Sequence, residues 1–178
     1  AGDCHCSQTP GANTSGVSRR CGSSRAQEMR AVLSLGSNLG DSESILSSAA
    51  EALNEVGEVI ALSNFFLNRP VGGPPQPDYL NAVLIIETQL EPEELLTVCQ
   101  AIERVFGRTR DSDEVRWGPR TLDIDLITCD QLIHESEILT LPHPRAAVRT
   151  FVLAPWLEID PDAYLPGAGP VAQLLANL

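Results

Sequence analysis

Not one of the 178 residues is a lysine; all twelve basic residues are arginine. The Gly-Lys-Ser/Thr ending of a phosphate-binding P-loop is therefore absent, although a Gly36-Ser37-Asn38 turn follows the first apolar segment. Aromatics make up only 4% of the chain, so Tyr79, Trp117 and Phe151 stand out against a sparse background. Positive charge is also scarce: the formal net charge is −12, which opposes binding to nucleic acid or to anionic membrane surfaces. No run approaches eighteen apolar residues, so no membrane-spanning helix is expected. The N-terminus has no apolar core region of the secretory kind, and the cytoplasm is the expected compartment. Five cysteines include no C-x-x-C pair, which disfavours a zinc site among Cys4, His5, Cys6 and Cys21. Cys99 and Cys129 fall in apolar patterns and read as small buried hydrophobes.

What is present begins after residue 28. Residues 1–28 are rich in Ser, Gly, Thr and Arg without apolar periodicity, and are expected to be disordered. Met29, the single methionine, directly precedes the first strand pattern, which suggests that the tract before it is upstream or added sequence. Residues 29–178 are read as one domain, long enough for a substantial core. Arg30–Leu35 reads as a strand and Gly36–Asn38 as a tight turn into a helix. That helix is capped by Asp41, with Ile45, Leu46, Ala49, Leu53 and Val56 as its stripe and Gly57 at its end. Val59–Leu67 is a second strand. The Pro/Gly-dense stretch 71–77 is either a plain linker or a mobile lid, and Asn81–Thr88 is a third strand. Pro92 opens a second helix with Leu95, Cys99, Ile102 and Phe106 buried and Gly107 at its end. Residues 107–119 form another long loop before a strand at 123–129, with a hairpin turn at Asp130-Gln131 into Leu132-Ile133. The order βαββαβ predicts an α+β, ferredoxin-like sandwich: a largely antiparallel sheet with helices on one face. The C-terminal segment reads as closure of the fold, ending in a VAQLLANL helix.

The chemistry concentrates in Arg116–Ile127, RWGPRTLDIDLI. Asp123 and Asp125 sit two apart on a strand, so both leave one face while Ile124 and Leu126 leave the other. Adjacent carboxylates repel unless a cation lies between them, and a hard divalent ion such as Mg²⁺ suits carboxylate oxygen while keeping positions open for phosphate. The plainer reading is a solvated Asp-x-Asp or a partner for nearby arginines. Gly118-Pro119 fixes a turn that delivers Arg120 close to the acids, and residues 104–120 carry five arginines against three acids. A locally basic site can work inside an acidic envelope because remote charge is screened. Tyr79 and Asn81 enter the third strand on one side, a ring beside an amide, which suits a flat heterocycle with an amide-like edge.

These segments resemble the 6-hydroxymethyl-7,8-dihydropterin pyrophosphokinases of folate biosynthesis. The likeness runs through SLGSN at 34–38, QPDYLNAV at 76–83, Gln100, Glu103, GRTR at 107–110, RWGPRTLDIDLI and LPHPR at 141–145. It covers roughly residues 30 to 160 in the same order. The resemblance implies transfer of the pyrophosphoryl group of ATP to a hydroxymethyl pterin, with two Mg²⁺ ions on Asp123 and Asp125. Arg108 and Arg120 join the two aspartates as the expected catalytic set. Gln100, Glu103, Arg110, Arg120, Leu126, Thr140, His143 and Arg149 are expected on the ATP side. Asn68, Val71, Gly72, Tyr79, Asn81, Trp117 and Phe151 are expected around the pterin. Two features depart from the family pattern: Phe66-Leu67-Asn68 stands where many relatives carry Tyr-x-Thr, and the 107–119 loop is slightly longer and more acidic. No residue presents itself as a general base. The chain is expected to be a monomer acting on small molecules. A non-catalytic nucleotide- or ligand-binding module of the same fold is the alternative. An RNA-binding sandwich would want exposed sheet aromatics and a basic surface, which the charge opposes.

Overall fold

The computed structural model describes residues 28–108 and 118–178. Its main sheet is built from β1 (Met29–Ser37), β2 (Glu58–Leu62), β3 (Phe66–Asn68), β4 (Tyr79–Thr88) and β5 (Asp123–Cys129). The strand order is β2-β4-β1-β5, with β3 also on β4, and every pairing is antiparallel. Two helices, α1 (Ser42–Leu53) and α2 (Pro92–Val105), supply the crossovers. This is the expected βαββαβ arrangement. Asp41 caps α1, its carboxylate accepting from the Ser44 N–H at 3.2 Å. Glu94 reaches back to the Glu91 N–H at 2.9 Å to start α2.

Four local expectations need correction. The second strand breaks at Ser63, because its hydroxyl accepts from the Val83 N–H at 2.9 Å and so takes a carbonyl's place in the ladder. Gly36 and Ser37 continue β1, opposite Asn81 and Leu80, and the turn comes later, at Gly40 with φ 76°. The turn at Asp130 is present, with φ 46°, but among the described residues β5 pairs with β1 alone. Asp130 is held to β1 instead: its N–H donates to the Arg30 carbonyl and its carboxylate accepts from the Arg30 N–H. The chain then pairs with itself as β6 (His134–Glu135) and β7 (Thr140–Leu141).

The fourth correction concerns the layers. One face of the sheet packs on α1 and α2 through Leu33, Leu35, Leu84, Ile86, Ile124 and Leu126, with Cys99 and Cys129 buried among them. The other face is covered in part by α3 (Thr150–Ile159) and α4 (Val171–Ala176), whose Val152, Leu153, Trp156 and Val171 cluster with Val32, Val83, Ile85 and Ile127. The segment read as mere closure is thus a second layer. A short strand pair, β8 (Tyr164–Leu165) on β9 (Gly169–Pro170), links the two helices. No helix among the described residues is long and apolar enough to cross a membrane.

Candidate active site

Where α3 stops covering the second face, the sheet residues turn polar. Register places Ser34 between Val83 and Asp125, and Gly36 between Asn81 and Asp123. Ser34, Gly36, Asn81, Asp123 and Asp125 line a cavity of about 420 Å³, together with Asn68 to Gly72 and with Arg145 and Val148 to Phe151. Asp123 and Asp125 both line it, while Ile124 and Leu126 go into the opposite core, as the two-residue period requires. Two acids that could not both have been buried cheaply have been given a solvent-filled hollow.

Both carboxylates are engaged by arginine. Asp123 bonds Arg108 and accepts from Arg120 Nη1 at 2.8 Å. Asp125 Oδ2 accepts from Arg149 Nη1 at 2.8 Å, and His143 Nε2 lies 3.8 Å from the same oxygen. Beneath them Glu103, 1% exposed, bonds Arg108 and accepts from the Ile124 N–H at 2.8 Å. One guanidinium therefore joins α2 to the start of β5. Burial pushes the His143 pKa below the ordinary value, Asp125 opposes this, and Arg149 and Arg145 add to it. Its Nδ1 accepts from the Arg145 N–H at 3.1 Å, so the neutral ring carries its proton on Nε2, toward Asp125. The thiols of Cys99 and Cys129 are pushed up to about 12 by burial and are chemically quiet.

Also on the cavity lining, Tyr79 donates its hydroxyl proton to the Gly118 carbonyl at 2.9 Å, and its ring lies beside Gly36. A Cβ on Gly36 would stand 3.0 Å from Asn81 Oδ1, so the missing side chain leaves the floor open between Asn81 and Asp123. Phe151 lines the facing wall, with the Arg149 guanidinium carbon 5.4 Å from its ring centroid.

Of the residues singled out from sequence, Asn68, Val71, Gly72, Tyr79, Asn81, Arg120, Asp123, Asp125, Arg149 and Phe151 line one cavity. Arg108 and His143 reach it through the aspartates, and Glu103 lies beneath. Gln100 on α2 and Thr140 on β7 lie outside the lining, beside edge strand β5, and the Leu126 side chain is in the core. Arg110 and Trp117 fall outside the described residues.

Sequence reasoning missed Asn38, which is 5% exposed and central to the site's architecture. Its amide nitrogen donates to Gln76 Oε1 and to the Pro77 carbonyl, both at 3.0 Å. Its oxygen accepts from the Arg120 N–H at 2.8 Å, and its own N–H donates to the Arg120 carbonyl at 3.0 Å. One side chain holds the Pro/Gly loop to the approach of β5. Asn immediately after a strand, inside SLGSN, was the available signal, but its partners lie 38 and 82 residues away.

Comparison with known proteins identifies the family. The model of the 7,8-dihydro-6-hydroxymethylpterin-pyrophosphokinase (HPPK) family matches residues 32–161. The chain belongs to this family. A 2-amino-4-hydroxy-6-hydroxymethyldihydropteridine pyrophosphokinase from Mycobacterium tuberculosis is 46% identical over 162 residues, covering 84% of each chain. The enzyme of the same name from Bacillus subtilis is 44% identical over 131 residues, covering 72% of this chain and 77% of its own. A crystal structure of wild-type Plasmodium falciparum HPPK-DHPS with pteroate superposes with a TM-score of 0.66 at 14% identity. That match covers 85% of this chain and 42% of the longer one. At that identity it speaks for the HPPK fold alone. The residues 32–161 that match the HPPK family include both aspartates, Asn38, Arg149 and every strand of the main sheet save the first residues of β1.

Proposed function

We infer that this chain transfers the pyrophosphoryl group of ATP to the hydroxymethyl oxygen of 6-hydroxymethyl-7,8-dihydropterin in folate biosynthesis. The hydroxymethyl oxygen forms a bond to the β-phosphorus, the bond from that phosphorus to the α–β bridging oxygen breaks, and AMP leaves. The observation that carries this reading is a single cavity lined by Asp123 and Asp125 together with Tyr79, Asn81 and Phe151. Asn81 and Asp123 flank Gly36 on strands two apart, about 10 Å at ordinary strand spacing. That span suits a bicyclic ring whose polar edge meets Asn81 while its hydroxymethyl arm points at the acids. Tyr79 and Phe151 supply the apolar walls, and Asn68, Val71 and Gly72 close the rim.

The donor set fits Mg²⁺. Among the described residues no group of three or more His, Cys, Asp or Glu side chains could hold an ion by themselves. Two carboxylates at an open cavity are what an ion needs when phosphate and water complete its shell. Asp123 and Asp125 are the proposed holders of two ions, which when bound neutralise phosphate charge. Arg120 and Arg149 line the same space and are proposed to supply guanidinium donors to phosphate oxygens, with Arg108 adding positive charge from beneath Asp123. The adenosine end is proposed to run along the outer edge of β5, toward His143, Thr140, Leu126 and Gln100, with Arg110 and Trp117 contributing from the adjoining loop. Glu103 contributes by holding Arg108. The acting unit is proposed to be residues 29–178, as a cytoplasmic monomer.

The test is AMP release from ATP, Mg²⁺ and the hydroxymethyl pterin. Asp123→Ala and Asp125→Ala should each lower turnover at least a hundredfold with the circular-dichroism melt retained, in the range for lost charge stabilisation. Nucleotide binding without AMP formation in the unaltered chain would favour the non-catalytic module instead.

A further inference from the structure

The same carboxylates proposed to hold metal are held by arginine, and this sets how metal and nucleotide must arrive. Among the described residues, three guanidiniums (Arg108, Arg120, Arg149) meet three carboxylates (Glu103, Asp123, Asp125) at the cavity edge. Asp123 carries two of them and Asp125 one. A divalent ion alone meets acids already neutralised and must break their bonds to guanidinium without supplying an anion in exchange. A triphosphate alone meets Arg120 and Arg149 already committed to carboxylate. When both come together, each guanidinium can exchange a carboxylate oxygen for a phosphate oxygen while the acids take the ion.

We propose that Arg120 and Arg149 are place-holding cations, which keep Asp123 and Asp125 closed to bare divalent metal and open them only as nucleotide phosphate takes up the arginines. The inference rests on the metal reading of the two aspartates given above. Geometry separates the roles of the three arginines. Arg108 is 9% exposed and stays tied below by the buried Glu103, so it is the fixed member. Arg120 and Arg149 are about twice as exposed, at 20% and 21%, line the cavity, and are the movable pair. Phe151 gives the Arg149 guanidinium an aromatic surface at 5.4 Å, along which it can shift without full resolvation. The thermodynamic consequence is positive coupling between metal and nucleotide, and coupling is reciprocal.

An arginine with this role has an unusual signature: removing it must strengthen one ligand and weaken the other. Mn²⁺ serves as the probe, titrated into the full chain by electron paramagnetic resonance or calorimetry, with and without a non-hydrolysable ATP analogue. Arg149→Gln should bind Mn²⁺ alone roughly tenfold more tightly than the unaltered chain, within the usual range of coupling between ligands. Its affinity for the analogue should fall. Arg120→Gln should behave likewise, and Asp125→Asn on the Arg149→Gln background should abolish the gain. A circular-dichroism melt confirms that each variant is folded, and two independent arginines keep the test alive if one variant is not. Unchanged or weaker binding of Mn²⁺ alone in both arginine variants, with normal Mn²⁺ binding in the presence of the analogue, overturns the place-holder role and leaves the metal assignment standing. No Mn²⁺ binding in the unaltered chain even with the analogue overturns both.

Discussion

Replacing Asn38 by alanine removes three side-chain hydrogen bonds at once: to Gln76 and Pro77 at 3.0 Å and from Arg120 at 2.8 Å. At about 1 kcal/mol each the loss would be about 3 kcal/mol. Gln76 and Pro77 lie in a loop that water can reach, so part is recovered by hydration, and about 2 kcal/mol is the expected net cost. For a folded unit of this size that corresponds to a fall in Tm of about 4–8 °C. Thermal unfolding followed by circular dichroism measures it. The function should suffer unevenly. Gln76 lines the cavity beside Tyr79, whereas Arg120 remains tied to Asp123 by its own side chain. The KM for pterin should therefore rise several-fold more than the KM for ATP. Asn38→Asp sharpens the test: it keeps an acceptor for the Arg120 N–H but turns a carboxylate toward the Gln76 and Pro77 oxygens. It should loosen the loop as much as alanine does. A stability change below about 0.5 kcal/mol in Asn38→Ala, the range of a featureless surface position, with both KM values unmoved, would refute the account.

Two further outcomes follow from the site's floor and rim. Gly36→Ala places a methyl 3.0 Å from Asn81 Oδ1 and 3.7 Å from the Tyr79 ring, so the amide must shift while the fold stays intact. Pterin KM should rise about tenfold, the equivalent of about 1.4 kcal/mol or one mispaired hydrogen bond, with nucleotide affinity unchanged by titration; equal loss of both ligands would show the strand itself had moved. His143 titrates below its unfolded value of about 6.5 because it is buried. Between the two values the unfolded chain binds the proton and the native chain does not, so the His143 contribution to stability falls as pH drops through that window. Urea unfolding at pH 7.5 and 5.5 should show the unaltered chain losing more stability than His143→Gln; a parallel loss in both would place the pH dependence elsewhere.

The sequence made the acid pair's geometry legible because a strand's period is fixed by covalent chemistry: Asp123 and Asp125 had to share a face once 123–129 was a strand. Three helix ends were legible for a similar reason, since Asp41, Pro92 and Gly107 act on neighbours within a turn, whereas α1 stops at Leu53, short of the expected end at Gly57. What failed depended on partners far along the chain. Ser63 breaks a strand because of Val83, twenty residues on, and Asp130 is held by Arg30, a hundred residues back. Composition could not distinguish a hydroxyl that replaces a carbonyl from one that faces water. α3 is apolar around most of its girth, a pattern without a face, and such helices announce burial without saying against what.

The placement of α3 explains why a site exists on this sheet at all. Along β1, β4 and β5 the second face runs from Val32, Ile85 and Ile127 to Gly36, Asn81 and Asp123. The apolar ends need a cover, and α3 provides it with Val152, Leu153 and Trp156. A cover long enough to hide the polar ends would strand two carboxylates and an amide in a dry interior, at several kcal/mol for each unpaired charge. The helix therefore begins at Thr150, and the residues leading into it pass over the boundary as a short 3-10 turn, Ala146–Val148, flanked by Arg145 and Arg149. Arg149 ends that turn on Asp125, and Phe151 opens the helix as a cavity wall. Fold stability and ligand binding are thus divided by position along the same three strands. Apolar substitution at Ser34, the residue between the two zones, should extend the dry layer and strengthen folding while narrowing the cavity. A trade-off of that sign is a property of this boundary and of no single catalytic group.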